Sequence, residues 1–158
     1  MNQYPKYQIR ASVEFNYIEF TSIGKKGNIT KMILFEPTDY SHIYNLAFGD
    51  KLETSDNNII TIDDKINTDN GDRDKVLATV ASAVYDYTNK YPDRWIIFSG
   101  SDEVRTRLYR MAITKNFAEL CEDFHIFGLE IINDTFIRLP FDSKMNFTGF
   151  LIIKKHSL

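Results

Sequence analysis

The sequence predicts an α/β (α+β) fold in one domain over residues 1–158: a mixed, mostly antiparallel, twisted sheet of about seven strands, flanked by two main helices. Two observations predict this fold. Apolar and polar residues alternate through the first third of the chain, as in strands with one solvated face. From Asp72 onward the apolar residues instead follow the 3.6-residue period of helices, interrupted by a short apolar strand.

An antiparallel meander is predicted for the first third. Its strands are expected at residues 7–22, 29–36, 44–48 and 59–66. A change of phase at Ile18 and Phe20 predicts a bulge in the first strand. The glycine-rich segment 24–28 is expected to form the first hairpin turn, and Pro37 ends the strand that follows.

Two helices and three strands are predicted for the rest of the chain. The first helix carries one apolar face and stops at Pro92; that face comprises Val76, Leu77, Val80, Val84, Tyr87 and Tyr91. A buried strand is expected at residues 95–98, and a second helix at 102–114 with a continuation at 117–124. Strands at 125–132 and 147–154 close the sheet, joined by an irregular loop over 133–146 that contains Pro140.

Composition and charge exclude several classes of protein. The net charge of -3 and the isoelectric point near 5.6 argue against a general binder of nucleic acid or of anionic membranes. No stretch is apolar for long enough to span a membrane. The lone Cys121 excludes an internal disulfide, and with no secretory-type apolar run at the start we expect a cytoplasmic protein. The oligomeric state is left open.

The most informative segment joins the strand at 95–98 to the arginine-rich helix. The turn contains Gly100 and Ser101, whose backbone N–H groups at a helix start are typical of an anion seat. Helical phase places Leu108, Met111 and Ala112 on the core side of the helix. The same phase places Arg105 within the apolar arc and turns Arg107 and Arg110 toward solvent.

Two interpretations of Arg105 are consistent with this phase, because a buried arginine needs a partner. In the first, Arg105 binds a phosphate or carboxylate of a small anionic ligand. In the second, it belongs to a structural ion pair with Glu19, Asp72 or Asp74. The sequence does not decide between a ligand and a carboxylate of the protein.

The order of a meander, a helix, a strand, a helix and two closing strands resembles the later two-thirds of the Gcn5-related N-acetyltransferase fold, over residues 29–154. That resemblance implies a loop before the first helix that binds the coenzyme A diphosphate, and a tyrosine on the second helix that protonates the leaving thiolate. Here Gly71 matches the loop, Arg73 stands where a second small residue belongs, and Tyr109 matches the tyrosine. If the chain acts as such an acetyltransferase, the resemblance implies a coenzyme A thioester as its cofactor. Under the other interpretations we expect no cofactor.

The same loop is rich in aspartates, which cap the helix and repel a diphosphate. We therefore expect no binding of acetyl-coenzyme A in the usual acetyltransferase manner. Residues 67–80 and 100–110 together also resemble a family of short bacterial proteins of unknown function. We expect both segments to lie at neighbouring strand ends, with a ligand between them held by Gly71, Arg73, Gly100, Ser101 and Arg105.

Other chemistries find little support. The three histidines are far apart and no zinc spacing occurs, so no metal is predicted. Cys121 lacks the neighbours of a catalytic nucleophile. Three functions remain: a non-catalytic domain that binds a small anion, an acyl-coenzyme A-dependent N-acyltransferase, and a protein-interaction or regulatory domain.

Overall fold

The computed structural model describes residues 4–53, 60–63, 69–100 and 102–156. Within them lie nine strands and three helices. The chain divides into two compact units: Met1–Glu36 with Leu46–Lys90, and Pro37–Asn45 with Tyr91–Leu158. Each unit is described in turn.

The first unit is an antiparallel set of strands with one helix. Its elements are β1 (Arg10–Ala11), β2 (Tyr17–Gly24), β3 (Gly27–Pro37), most of β4 (Ile43–Glu53), β5 (Ile60–Asp63) and α1 (Arg73–Lys90). β2 pairs antiparallel with β1 and β3, and β5 pairs antiparallel with β4. The core of the unit includes the stacked rings of Phe35 and Tyr87, whose centroids lie 3.9 Å apart.

The second unit combines a mixed sheet with two helices. Its elements are the first three residues of β4, then β6 (Trp95–Phe98), α2 (Glu103–Lys115), α3 (Phe117–Asp123), β7 (Phe124–Ile132), β8 (Thr135–Pro140) and β9 (Gly149–Lys154). β4 and β6 pair in parallel, and β6, β9, β7 and β8 follow as antiparallel neighbours. Rings of Phe98, Phe147 and Phe150 form the core beneath the helices.

The mixed, mostly antiparallel sheet predicted from the sequence is confirmed, with nine described strands rather than about seven. Among the described residues, no helix combines the length and the apolar character that crossing a membrane requires.

The single long strand predicted at residues 7–22 is wrong. The chain turns back at residues 12–16, and the separate β1 and β2 pair with each other. The Ser12 N–H donates to the Tyr17 carbonyl at 2.9 Å, and Phe15 adopts a φ of 60°. The phase shift at Ile18 therefore marks the exit from a turn rather than a bulge.

The irregular loop predicted at residues 133–146 is also wrong in its first half. Asn133 and Asp134 both have positive φ, 51° and 60°, and form a two-residue turn of the kind that closes hairpins. β8 follows this turn and pairs with β7 over six residues, from Thr135 opposite Ile132 to Pro140 opposite Phe127. Pro140 is tolerated because β8 has only one described neighbour.

Candidate functional site

A groove of about 730 Å³ lies in the second unit, between the first half of α2 and residues 146–150. We call it the α2 groove. Its volume is within the range of small-molecule sites. Its wall combines two arginines, two acids, two threonines, an asparagine and an apolar floor; the residues that carry the argument are Asp102, Glu103, Thr106, Arg107, Arg110 and Phe150.

Gly100 connects the end of β6 to α2 at close range. A Cβ atom at this position would lie 2.3 Å from the Thr106 backbone nitrogen and 2.6 Å from the Arg105 Cβ, so only glycine fits. The Gly100 N–H donates to Thr106 Oγ1 at 3.1 Å. Its predicted role as a donor to an anion would therefore require this bond to break. Ser101, the other predicted donor in the turn, lies outside the described residues.

The start of α2 is capped by Asp102. Its Oδ1 accepts a hydrogen bond from the Arg105 N–H at 2.9 Å, and its carbonyl accepts one from the Thr106 N–H at 3.1 Å. The cap satisfies one of the free N–H groups at the helix start, that of Arg105, while the Thr106 bond is the first ordinary bond of the helix. The Asp102 carboxylate also repels an anion at this end of the groove, which favours binding through the arginine side chains of the wall.

Two arginines that the sequence assigned to solvent lie on the groove wall. Arg110 is fixed by hydrogen bonds from Nη1 to the Met145 carbonyl, at 2.9 Å, and to Asn146 Oδ1. Arg107 is exposed and, among the described residues, its guanidinium makes no hydrogen bond or ion pair. Sequence phase could not find the groove, because residues 146–150 are far from α2 in the chain.

Arg105 is half-buried on the inner stripe of α2, which it shares with the half-buried Tyr109 and the buried Ile113. Met111, predicted on the core side, is 52% exposed, so that assignment is wrong. Arg105 is not among the described residues that form the wall of the α2 groove. Glu19, one of its predicted partners, has partners of its own in the first unit.

Tyr109 also faces inward, and its ring stands edge-on to the Phe98 ring at a centroid distance of 5.6 Å. This contact holds the Tyr109 ring against the aromatic core of the second unit. Tyr109 is not among the described residues of the groove wall. Its predicted role as an acid toward a thiolate stays a prediction.

The loop around Gly71 lies in the first unit, and hydrogen bonds within that unit account for its glycine and its aspartates. Gly71 has a φ of 80°, which favours glycine, and its N–H donates to Asp69 Oδ1 at 3.0 Å. That hydrogen bond lowers the pKa of the Asp69 carboxyl. Asp72 Oδ2 accepts hydrogen bonds from the Tyr7 hydroxyl, at 2.5 Å, and from Ser22 Oγ, at 2.6 Å. Arg73 is exposed at the start of α1.

Asn70 is the residue of this loop that sequence reasoning undervalued. Its side chain is 1% exposed. Its Nδ2 donates to the Gly27 carbonyl at 2.8 Å and to Ser22 Oγ at 3.2 Å, and its Oδ1 accepts from the Lys26 N–H at 2.7 Å. Asn70 thus joins the loop to the β2–β3 hairpin.

The Gly71 loop and the Gly100 turn lie in different units, so the expectation of one ligand between them stays a prediction. Within the part of the chain that the structure describes, no group of three or more histidine, cysteine, aspartate or glutamate residues could hold a metal ion. Cys121 is a free, half-buried thiol.

A family model matches residues 3–155, almost the whole chain. The chain belongs to a family of unknown function, DUF6934. The predicted membership of an uncharacterised family is therefore confirmed. No curated protein and no solved structure matches the chain. The family assigns no reaction, so the function has to be argued from the geometry of the site.

Proposed function

We propose that this chain is a non-catalytic domain that binds a small anionic organic ligand in the α2 groove, with Arg107 holding the anionic group. The observation that carries the proposal is the Arg107 guanidinium, which faces the groove without a partner among the described residues. A guanidinium offers a planar pair of donors that suits a carboxylate or a phosphate.

The rest of the groove fits an organic molecule rather than a bare ion. Phe147 and Phe150 are buried and form an apolar floor. Thr106 and Thr148 add hydroxyl groups at the walls. Ligand sites typically combine such an apolar surface with a few polar groups that orient the molecule.

The fixed Arg110 adds a second positive charge to the wall. Because its guanidinium already donates to Met145 and Asn146, it contributes mainly charge and shape. Glu103 lies on the same wall and opposes an anion. We therefore expect Glu103→Gln to tighten binding by up to about 5-fold, the range of an exposed charge interaction.

The element order remains the support for an acetyltransferase-like fold, and an acyltransferase is the alternative function. The first-unit loop gives that alternative little support. The Gly71 N–H is bonded to Asp69, and the Asp72 carboxylate is held by Tyr7 and Ser22. A diphosphate there would have to replace these bonds and approach the aspartates.

A thermal-shift screen tests the proposal, using sugar phosphates, nucleotides and coenzyme A thioesters. A compound at 100 times its dissociation constant stabilises the fold by about 2.7 kcal/mol, or about 5–10 °C for a chain of this size. We expect Arg107→Gln to weaken binding by about 10- to 100-fold, since charge-assisted hydrogen bonds contribute about 1.5–3 kcal/mol.

Arg10→Gln is the matched control. Arg10 is an exposed arginine of the first unit, 3.7 Å from Glu19, and loses the same charge without touching the groove. Arg73→Gln tests the first-unit loop in the same way. The proposal fails if no compound shifts the melting temperature, or if Arg73→Gln abolishes the shift and Arg107→Gln does not.

A further inference from the structure

The outer edge of β8 is open in the structure. β8 is the last strand of the second unit's sheet and pairs only with β7 among the described strands. Thr135, Phe136, Arg138 and Pro140 are exposed. An exposed strand edge presents unpaired N–H and C=O groups that another strand can bind.

The register of the hairpin fixes which groups point outward. The two-residue turn at Asn133 and Asp134 makes the flanking pair, Ile132 and Thr135, a hydrogen-bonded one. Bonded and non-bonded pairs then alternate, so the backbone groups of Phe136 and Arg138 point away from β7. Pro140, which has no N–H to donate, falls in the same outward series.

The open edge of β8 carries little charge. Arg138 carries the one charge of β8, and its guanidinium is turned inward over two rings of the sheet, 4.8 Å from the Phe127 centroid and 5.8 Å from the Trp95 centroid. Phe136 is 52% exposed and stands opposite Ile131, which is 49% exposed. These two side chains form an apolar patch beside the open edge.

We infer that β8 is a homodimer interface, in which it pairs antiparallel with β8 of a second copy about a two-fold axis at Ile137. In this register the outward backbone N–H and C=O groups of Phe136 pair with those of Arg138 in the partner copy. By symmetry, those of Arg138 pair with the backbone groups of Phe136 in the partner copy. The Phe136 ring then packs on the methylene stem of the partner's Arg138. A register centred on Arg138 would place two like charges opposite each other, which is unfavourable.

The interface is isologous and small, because six residues form the paired edge. Stable interfaces bury roughly 1,200–2,000 Å² in total, so we expect a weak dimer with a dissociation constant on the order of 10–100 µM. Disulfide trapping suits such a dimer, because it captures the paired state. Residues directly opposite each other have Cβ atoms about 4.5–5.5 Å apart, and diagonal neighbours lie about 7–8 Å apart.

The experiment places single cysteines in β8 of a chain carrying Cys121→Ser. We expect Ile137→Cys to form a disulfide-linked dimer under mild oxidation, and Phe136→Cys to remain largely monomeric. Preferential crosslinking through Phe136→Cys would overturn the proposed register. Equal crosslinking at both positions, at the level of an exposed cysteine in the first unit, would overturn the interface.

Sedimentation equilibrium gives an independent reading without added thiols. We expect the unmodified chain to dimerise, Phe136→Lys to be monomeric, and the control Ile23→Lys to dimerise as the unmodified chain does. Ile23 is 62% exposed and lies at the end of β2. A chain that stays monomeric at about 500 µM, well above the expected dissociation constant, or a Phe136→Lys variant that still dimerises, would refute the proposal.

Discussion

Replacing Asn70 with alanine removes the side chain that joins the Gly71 loop to the β2–β3 hairpin. The buried amide makes three hydrogen bonds, to Ser22 Oγ, the Gly27 carbonyl and the Lys26 N–H. Each such bond contributes about 1 kcal/mol net. The Lys26 and Gly27 backbone groups are near water and regain a partner, while Ser22 keeps its bond to Asp72.

We therefore expect Asn70→Ala to lower the free energy of unfolding by about 2–3 kcal/mol, which corresponds to about 5–10 °C in melting temperature. Urea denaturation followed by circular dichroism measures the change. Asn28→Ala is the matched control, because Asn28 is exposed in the same hairpin and should change stability by less than about 0.5 kcal/mol.

Asn70→Asp sharpens the test. The carboxylate keeps an acceptor for the Lys26 N–H but turns a negative oxygen toward the Gly27 carbonyl, so we expect it to destabilise at least as much as alanine. If Asn70→Ala matches Asn28→Ala, or if aspartate is tolerated, the loop is not held by this side chain.

Further predictions concern the ionisable groups of the first unit. Lys31 is 1% exposed, and its Nζ lies 2.6 Å from Asp50 Oδ1. Lys31→Ala should therefore lower the free energy of unfolding, measured by urea denaturation, by about 3–5 kcal/mol. The double variant Lys31→Met with Asp50→Leu should have a free energy of unfolding closer to that of the unmodified chain. Burial raises the pKa of Glu19, but hydrogen bonds from Lys51 and Tyr17 outweigh it and lower the pKa. The resulting stability is present above the usual glutamate pKa of 4.5 and is lost as pH falls through the lowered pKa. In the Glu19→Gln variant, the free energy of unfolding should therefore fall less steeply between about pH 5 and pH 3. Burial, together with the hydrogen bond to Glu19, raises the pKa of Tyr17 to about 12; the resulting stability is full below pH 10.0 and lost as pH rises through about 12, and Tyr17→Phe should remove a transition near pH 12 from a titration followed at 295 nm.

Local sequence patterns predicted the regular elements well. The helical period that starts at Asp72 and the stop at Pro92 correspond to α1, Arg73–Lys90. The apolar run Trp95–Phe98 is β6 with the predicted bounds. These elements are specified by residues close together in the chain, so pattern and structure agree.

Two turns that need a positive φ at residues other than glycine were missed. Phe15 takes a positive φ that a bulky residue rarely adopts, and no glycine marks this turn. The turn at Asn133 and Asp134 did carry a signal, because both residue types tolerate positive φ and close hairpins. Interpreting Asn133 and Asp134 as a hairpin turn would have predicted β8.

The candidate site was predicted only in part. The turn at Gly100 borders the groove, as the strand-turn-helix pattern indicated. The choice among the arginines of α2 was not predictable, because the opposite wall comes from residues around Phe147, which no local pattern brings to the helix. Helical phase alone favours the inward Arg105, whereas the groove is lined by the outward Arg107.

A backbone amide NMR titration tests the central claim most directly. The uniformly ¹⁵N-labelled chain is titrated with the compound of the thermal-shift panel that stabilises it most. The α2 groove predicts progressive shifts at Thr106, Arg107 and Thr148, with the signals of Gly71 and Arg73 unmoved. Shifts that cluster at Gly71 and Arg73, or shifts of the groove amides that persist unchanged in Arg107→Gln, would contradict the account.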